Sequence, residues 1–220
     1  MNAILAARGH DIAFEHVRNA HRTIWTRCQE LYWSVDKDIP CRRQIEHFLE
    51  ELALEGVDDA TIEELEHAYS IAAVELPPAL VDGAREVLEE LHGRGLRLGL
   101  ISNTGRTPGS ALRRILEDHG VAVLFTAMVF SNEHGACKPE PSIFEELRRG
   151  LDAASGEIVF VGDNLYVDVH GAQRAGMQGV HFVPAMRGAA VAPPVEHGLE
   201  ITPHATITEL RALIPLVDRM

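Results

Sequence analysis

Ile158-Val-Phe-Val-Gly-Asp-Asn-Leu-Tyr-Val-Asp168, continuing into Val-His-Gly-Ala-Gln-Arg-Ala-Gly176, changes periodicity within a few residues. Ile158 to Val161 is a short run of apolar, mainly β-type side chains and predicts a buried strand. Gly162 breaks the run, and the turn after it carries Asp163, Asn164 and Asp168. From about Val167 the spacing is helical, and Gly176 stops it as a C-terminal glycine does. A strand that empties two carboxylates into the turn before a helix sets them at the carboxyl edge of a sheet, where open α/β folds hold their ligands. Two hard oxygen donors there, with room for water, suit Mg²⁺. Asp163 and Asp168 are therefore the candidate metal ligands.

Outward from this stretch, strand and helix alternate. Val81 to His92 predicts an amphipathic helix broken by Gly93 and Gly95, and Leu96 to Ile101 a buried strand ending in Ser102-Asn103-Thr104-Gly105. Pro108 to His119 reads as helix, Phe125 to Phe130 as strand, Ser131 to Pro141 as loop and Ser142 to about Leu151 as helix. Gly179 to Val183 predicts a last strand, Pro184 to Pro194 a loop, and Ile207 to Val217 a closing helix. This alternation predicts a doubly wound parallel sheet covered on both faces.

Residues 1 to 76 behave differently. Ile12 to Tyr32, then the run holding Ile45, Phe48, Leu49 and Leu52, then a stretch opened by Asp59 or Thr61, carry helical spacing. The expectation is an N-terminal all-helical lobe over 1–76 and an α/β core over 77–220, with Pro77-Pro78 at the crossing.

The bulk numbers narrow the function. A net charge of −13 argues against nucleic acid or an anionic membrane as main partner, so any anion site must be built locally. Three cysteines make no paired spacing and fit a reducing cytoplasm, and the twelve histidines lack the pairing of a zinc helix. Met1 to Ala7 is too short and poorly flanked for a signal peptide, and no apolar run reaches the length of a membrane span.

Each strand end carries different polar groups. Ser102 and Asn103 offer a hydroxyl, an amide and backbone N–H groups suited to cradling phosphoryl oxygens. Lys138, in Cys-Lys-Pro-Glu-Pro, is held between two prolines, with Pro141 priming the next helix. Its ammonium could neutralise a phosphate and restrain a nearby carboxylate nucleophile.

Ser102-Asn103 after a strand, Lys138-Pro139 after a loop, and Gly162-Asp163 to Asp168 resemble motifs II, III and IV of the haloacid dehalogenase superfamily. Asp82-Gly83-Ala84 and Gly171-Ala172 to Met177 add to the likeness, which covers roughly residues 77 to 215. Residues 1–76 resemble the helical cap these enzymes insert between motifs I and II. Gly-Asp followed by a second Asp is similar to the Mg²⁺-dependent phosphatase branch, while metal-free dehalogenases usually carry Ser-Asn there, which argues against dehalogenation. The resemblance implies an aspartyl-phosphate mechanism on a small phosphorylated substrate. In it Ser102 and Lys138 would be catalytic, Ser102, Asn103 and Lys138 would bind phosphate, and Asp163 and Asp168 would hold the metal.

One part of the pattern is missing. Family members begin with a central strand ending in Asp-x-Asp, whose first Asp is the nucleophile and whose second is the general acid/base. The only Asp-x-Asp here, Asp36-Lys-Asp38, follows a helical stretch, lacks a strand to aim it, and reads as a solvated turn. The expectation is a chain whose catalytic strand lies upstream of Met1, inactive by itself, with a gap in the sheet whose backbone groups need partners. A non-catalytic metal-, phosphate- or partner-binding protein is the alternative, and a strand lent by a second copy a further one. Arg22, Trp25 and Arg42 are the cap residues that could face the site.

Overall fold

The computed structural model describes residues 1–184 and 198–219. They form two compact units, the first joining Met1–Pro78, Ser102–Ile115 and Phe130–Cys137, the second Ala79–Ile101, Leu116–Val129 and the chain from Lys138 onward.

In the first unit, α1 (Asn2–Ala7), α2 (Phe14–Leu31), α3 (Cys41–Glu51) and α4 (Asp59–Glu75) follow one another. The faces that meet are those set by helical spacing. Val17, Ala20, Ile24 and Cys28 of α2 pack with Ile45, Phe48 and Leu49 of α3, Ile62 and Leu65 of α4, and Leu5 of α1. Pro40 occupies the N-cap position of α3, and the Asp58 carboxylate, rather than Asp59 or Thr61, caps α4 by accepting the Thr61 N–H at 2.8 Å. Between α2 and α3 the chain runs beside the later segment Gly135–Cys137. Lys37 bridges Ala136, Asp38 N–H donates to the Gly135 carbonyl at 3.1 Å, and Cys137 N–H donates to the Asp36 carbonyl at 2.9 Å.

The later chain alternates as its spacing predicts: α5 (Ala84–Gly93), β1 (Leu98–Ser102), α6 (Gly109–Asp118), β2 (Phe125–Phe130), a single turn α7 (Ser131–His134), α8 (Pro141–Leu151), β3 (Val159–Gly162), a π-helical segment Leu165–His170, α9 (Gly171–Arg174) and β4 (Gln178–Phe182). Three differences from the sequence reading stand out, the first being the helical turn α7 at the start of the expected Ser131 to Pro141 loop. A further strand, β5 (Ala205–Ile207), takes the residue expected to open the closing helix, which shrinks to α10 (Leu213–Val217). Three residues are too few to show a period, and pairing with β4 decides their conformation. The helical run after Asp163 begins as a π-turn, and the expected Pro184 to Pro194 loop lies, beyond Pro184, outside the described residues.

The second unit is an α/β layer structure. β3 pairs parallel with β4, Val159 opposite Gln178 through Gly162 opposite His181, and β4 pairs parallel with β5. β1 and β2 form a separate two-stranded sheet. The same helices nevertheless cover both. On one face α8 packs Ile143, Phe144, Leu147 and Leu151 against Ile101 and Val129 from one sheet and Ile158 and Phe160 beside the other. On the opposite face Val87 and Leu91 of α5 and Leu213 of α10 share a cluster with Leu98, Val159, Val161 and Val180. Among the described residues the two sheets lie under common helices and share no ladder. Accordingly Leu98, Leu100, Val159 and Val161 are only half-buried and Gly99 is exposed, although their composition is that of fully buried strands. Among the described residues, no helix is long and apolar enough to cross a membrane.

Candidate active site

Lys138 is positioned by the start of α8. Glu140 caps that helix by accepting the Ser142 N–H at 2.7 Å, and Pro141 takes the first helical position, where its missing N–H costs nothing. The Lys138 ammonium lies 2.7 Å from Asp168 Oδ1 and 3.2 Å from the carbonyl of Ile101, the residue before Ser102. Both side chains are nearly buried, at 11% and 7% exposure, so the pair is stabilised by mutual neutralisation that neither charge would find alone. A second donor fixes the carboxylate: Asn164 N–H reaches Asp168 Oδ2 at 3.0 Å.

Gly162 makes this arrangement possible. A Cβ there would stand 2.3 Å from Asp168 Cβ and Cγ, a distance no side chain tolerates. The strand must therefore end in glycine for Asp168 to fold back against it. Asn164 then caps the π-turn through its side chain, which accepts the Val167 N–H at 2.8 Å. The wider π-turn carries Asp168 inward while Asp163, at the strand end, stays exposed. The Asp163 carbonyl lies 3.3 Å from His181 Nε2.

The donor set fits a hard divalent cation that keeps much of its shell as water. Asp163 is exposed, and each Asp168 oxygen retains acceptor capacity beyond its one hydrogen bond. Among the described residues no group of three or more His, Cys, Asp or Glu side chains could hold a metal. Two carboxylates, one already neighboured by an ammonium, suit Mg²⁺ completed by solvent and substrate oxygens.

Ser102 and Asn103 belong to the first unit, where an acceptor that the sequence reading set aside organises the residues after them. Asp38, expected in a solvated turn, is 5% exposed. One of its oxygens accepts Trp33 Nε1–H at 2.9 Å and Ile39 N–H at 2.8 Å. The other accepts the hydroxyls of Thr104 and Ser131, and Thr104 N–H donates to Ser131 Oγ at 2.8 Å. Donors from the segments after β1 and β2 thus compensate the desolvation that made burial of this acid look unfavourable. The residues in between, charged and proline-flanked, gave a surface reading because those donors are distant in sequence. With both oxygens engaged, Asp38 is a fixed acceptor in the loop scaffold. The signal that could have found it was the strand-end placement of Thr104 and Ser131.

Of the cap residues singled out, Arg22 is exposed and Arg42 pairs with Asp59 and Glu46. Trp25 instead meets Arg106, whose guanidinium carbon lies 4.6 Å from its ring centre. Cys28, Cys41 and Cys137 are buried thiols, and burial pushes Cys28 up to about 11 and Cys41 up to about 12.

A family model described as haloacid dehalogenase-like hydrolase matches residues 2–176. The chain belongs to that family. Among curated relatives, a glyceraldehyde 3-phosphate phosphatase of Pyrococcus furiosus is 32% identical over 143 residues, covering 63% of this chain and 55% of its own. A phosphoglycolate phosphatase of Cereibacter sphaeroides is 36% identical over 118 residues, covering 53% and 51%. The chain spans about half the length of these relatives. A solved 2-haloacid dehalogenase of Pseudomonas syringae superposes with a TM-score of 0.67 at 23% identity, covering 98% of this chain and 86% of that one. At that identity the likeness speaks for the haloacid dehalogenase fold alone.

Proposed function

We propose that this chain is the cap and most of the core of a Mg²⁺-dependent phosphatase acting on a small phosphorylated metabolite. Its nucleophile would be supplied by a strand outside the 220 residues. The observation that carries the reading is Lys138, held between Asp168 and the Ile101 carbonyl at the ends of two sheets that share helices but no ladder. A strand ending in a carboxylate and seated between β1 and β3 would bring that group to the Lys138 ammonium. Phosphatase names among the relatives support the reaction class.

In the proposed reaction the strand's first carboxylate attacks phosphorus, the substrate oxygen leaves with a proton from the strand's second Asp, and water, deprotonated by that Asp, hydrolyses the acyl phosphate. Ser102 and Asn103 hold phosphoryl oxygens by their hydroxyl, amide and N–H groups. Lys138 offsets the charge that builds on the transferred group, and Asp168 keeps the ammonium aimed. Asp163 and Asp168 would hold Mg²⁺, which supplies charge neutralisation between nucleophile and phosphate. A non-catalytic role is the second reading, favoured by one observation: Lys138 is already satisfied by Asp168 and Ile101.

The test is turnover of p-nitrophenyl phosphate with Mg²⁺. The 220-residue chain should give none, and a fusion placing an apolar strand ending in Asp-x-Asp ahead of Met1 should restore it. Robust hydrolysis by the chain alone would overturn the external nucleophile. A folded but inactive fusion would favour the second reading.

A further inference from the structure

Arg106 follows the Ser102-Asn103 turn by a few residues and lies in the same compact unit as that turn and the helices α2 to α4. Its guanidinium stacks on Trp25, which is itself 40% exposed and tilted against Trp33. Among the described residues no carboxylate lies within ion-pair distance of it, and its Nε–H is buried without a hydrogen-bond partner. Stacking on a partly exposed ring gains less than a buried donor loses when it is left without a partner. The stack alone does not offset the orphaned donor, so a purely structural role leaves the side chain unexplained.

The backbone around it is held in place. Gly105, at φ +55°, turns the chain so that Trp25 comes within 3.7 Å of where its Cβ would be. Gln44 Nε2–H donates to the Gly105 carbonyl at 3.0 Å, and Tyr69 O–H donates to Gln44 Oε1 at 3.0 Å. The surrounding titratable groups do not cancel its charge. His21, edge-on to Tyr69, is held below its ordinary range by burial and then by Arg106, and burial raises Tyr69. Asp38, the carboxylate that with Arg106 bears on Cys28, has both oxygens taken by Trp33, Ile39, Thr104 and Ser131.

We propose that Arg106 is a specificity site for a carboxylate on the substrate, so that the preferred ligand is a phosphomonoester bearing a carboxylate a few bonds from phosphorus. The inference rests on the phosphatase reading for the phosphate itself, which Ser102 and Asn103 would hold. A planar guanidinium presents parallel N–H groups to a carboxylate, and one face on Trp25 leaves its edge for that contact. The cap helices supply Trp25, Gln44 and Tyr69, so the cap both fixes the arginine and selects the substrate.

The test is calorimetric titration of the full chain with Mg²⁺ present, using 2-phosphoglycolate and ethyl phosphate as probes. Wild type should prefer 2-phosphoglycolate by about 10-fold or more, the worth of a charge-assisted pair. Arg106→Gln should erase that preference while leaving ethyl phosphate binding within about 2-fold, and Arg106→Lys should restore part of it. A preference that survives Arg106→Gln, or none in wild type while both esters bind, overturns this inference and leaves the phosphatase reading standing. Binding of neither ester overturns both. Should Arg106→Gln fail to fold, Trp25 reports in its place in a Trp33→Phe background. Its fluorescence should change with 2-phosphoglycolate and not with ethyl phosphate, and an equal response to both overturns the proposal.

Discussion

Lys138 Nζ stands 2.7 Å from Asp168 Oδ1, two nearly buried opposite charges contributed by chain segments thirty residues apart. Removing one partner strands the other. Asp168→Asn keeps the shape but removes the negative charge that neutralises the nearly buried ammonium, and should cost about 3–5 kcal/mol in denaturant unfolding. Replacing both, as Lys138→Met with Asp168→Leu, should recover much of that loss. A single variant within about 0.5 kcal/mol of wild type would show that the pair contributes little.

Gly162→Ala sets a methyl against Asp168 with no room to yield, since the neighbouring atoms belong to a carboxylate tied at both oxygens. Overpacking of this kind costs about 1–3 kcal/mol. Calorimetric Mg²⁺ titration should show weakened binding along with the lower Tm.

Asp38→Ala removes one acceptor from four donors, three of them in buried or half-buried side chains. A loss of about 3 kcal/mol or more is expected, as for a broken buried network. The near-UV signal of Trp33 should change with it. Asp38→Asn retains one acceptor oxygen and should lie between the two.

His21 gives a pH dependence with a defined sign. Burial, then Arg106, lowers its folded-state value below 6.5, so the unfolded chain binds the proton more readily. Its contribution is fully present above about pH 6.5 and is lost as pH falls below it. Thermal unfolding followed from pH 7.5 downward should show this loss, and His21→Gln should reduce its slope below pH 6.5.

Much of the core was legible because its strands carry unmistakable runs. Phe125–Phe130 coincides with its predicted bounds, and the Ile158 and Leu96 runs shift by one or two residues at their ends. Lys138 and Asp168, singled out from local glycine, proline and carboxylate spacing, lie against one another in the structure. β5 was not, since three residues carry no period and only the β4 edge specifies them. Asp38 was misread for the opposite reason: its neighbours look solvated, and the hydroxyls that satisfy it come from 66 and 93 residues away. Arg106 carried no motif, and its meeting with Trp25 is a tertiary fact.

In the proposed function, Asp163 and Asp168 at the end of β3 would hold a divalent cation. Isothermal titration of the 220-residue chain with MgCl₂, beside Asp163→Asn, addresses it directly, because Asp163 is exposed and its replacement should leave the fold intact. The wild-type chain should bind one Mg²⁺ and the variant should lose that binding. Equal binding by both would contradict the proposed site.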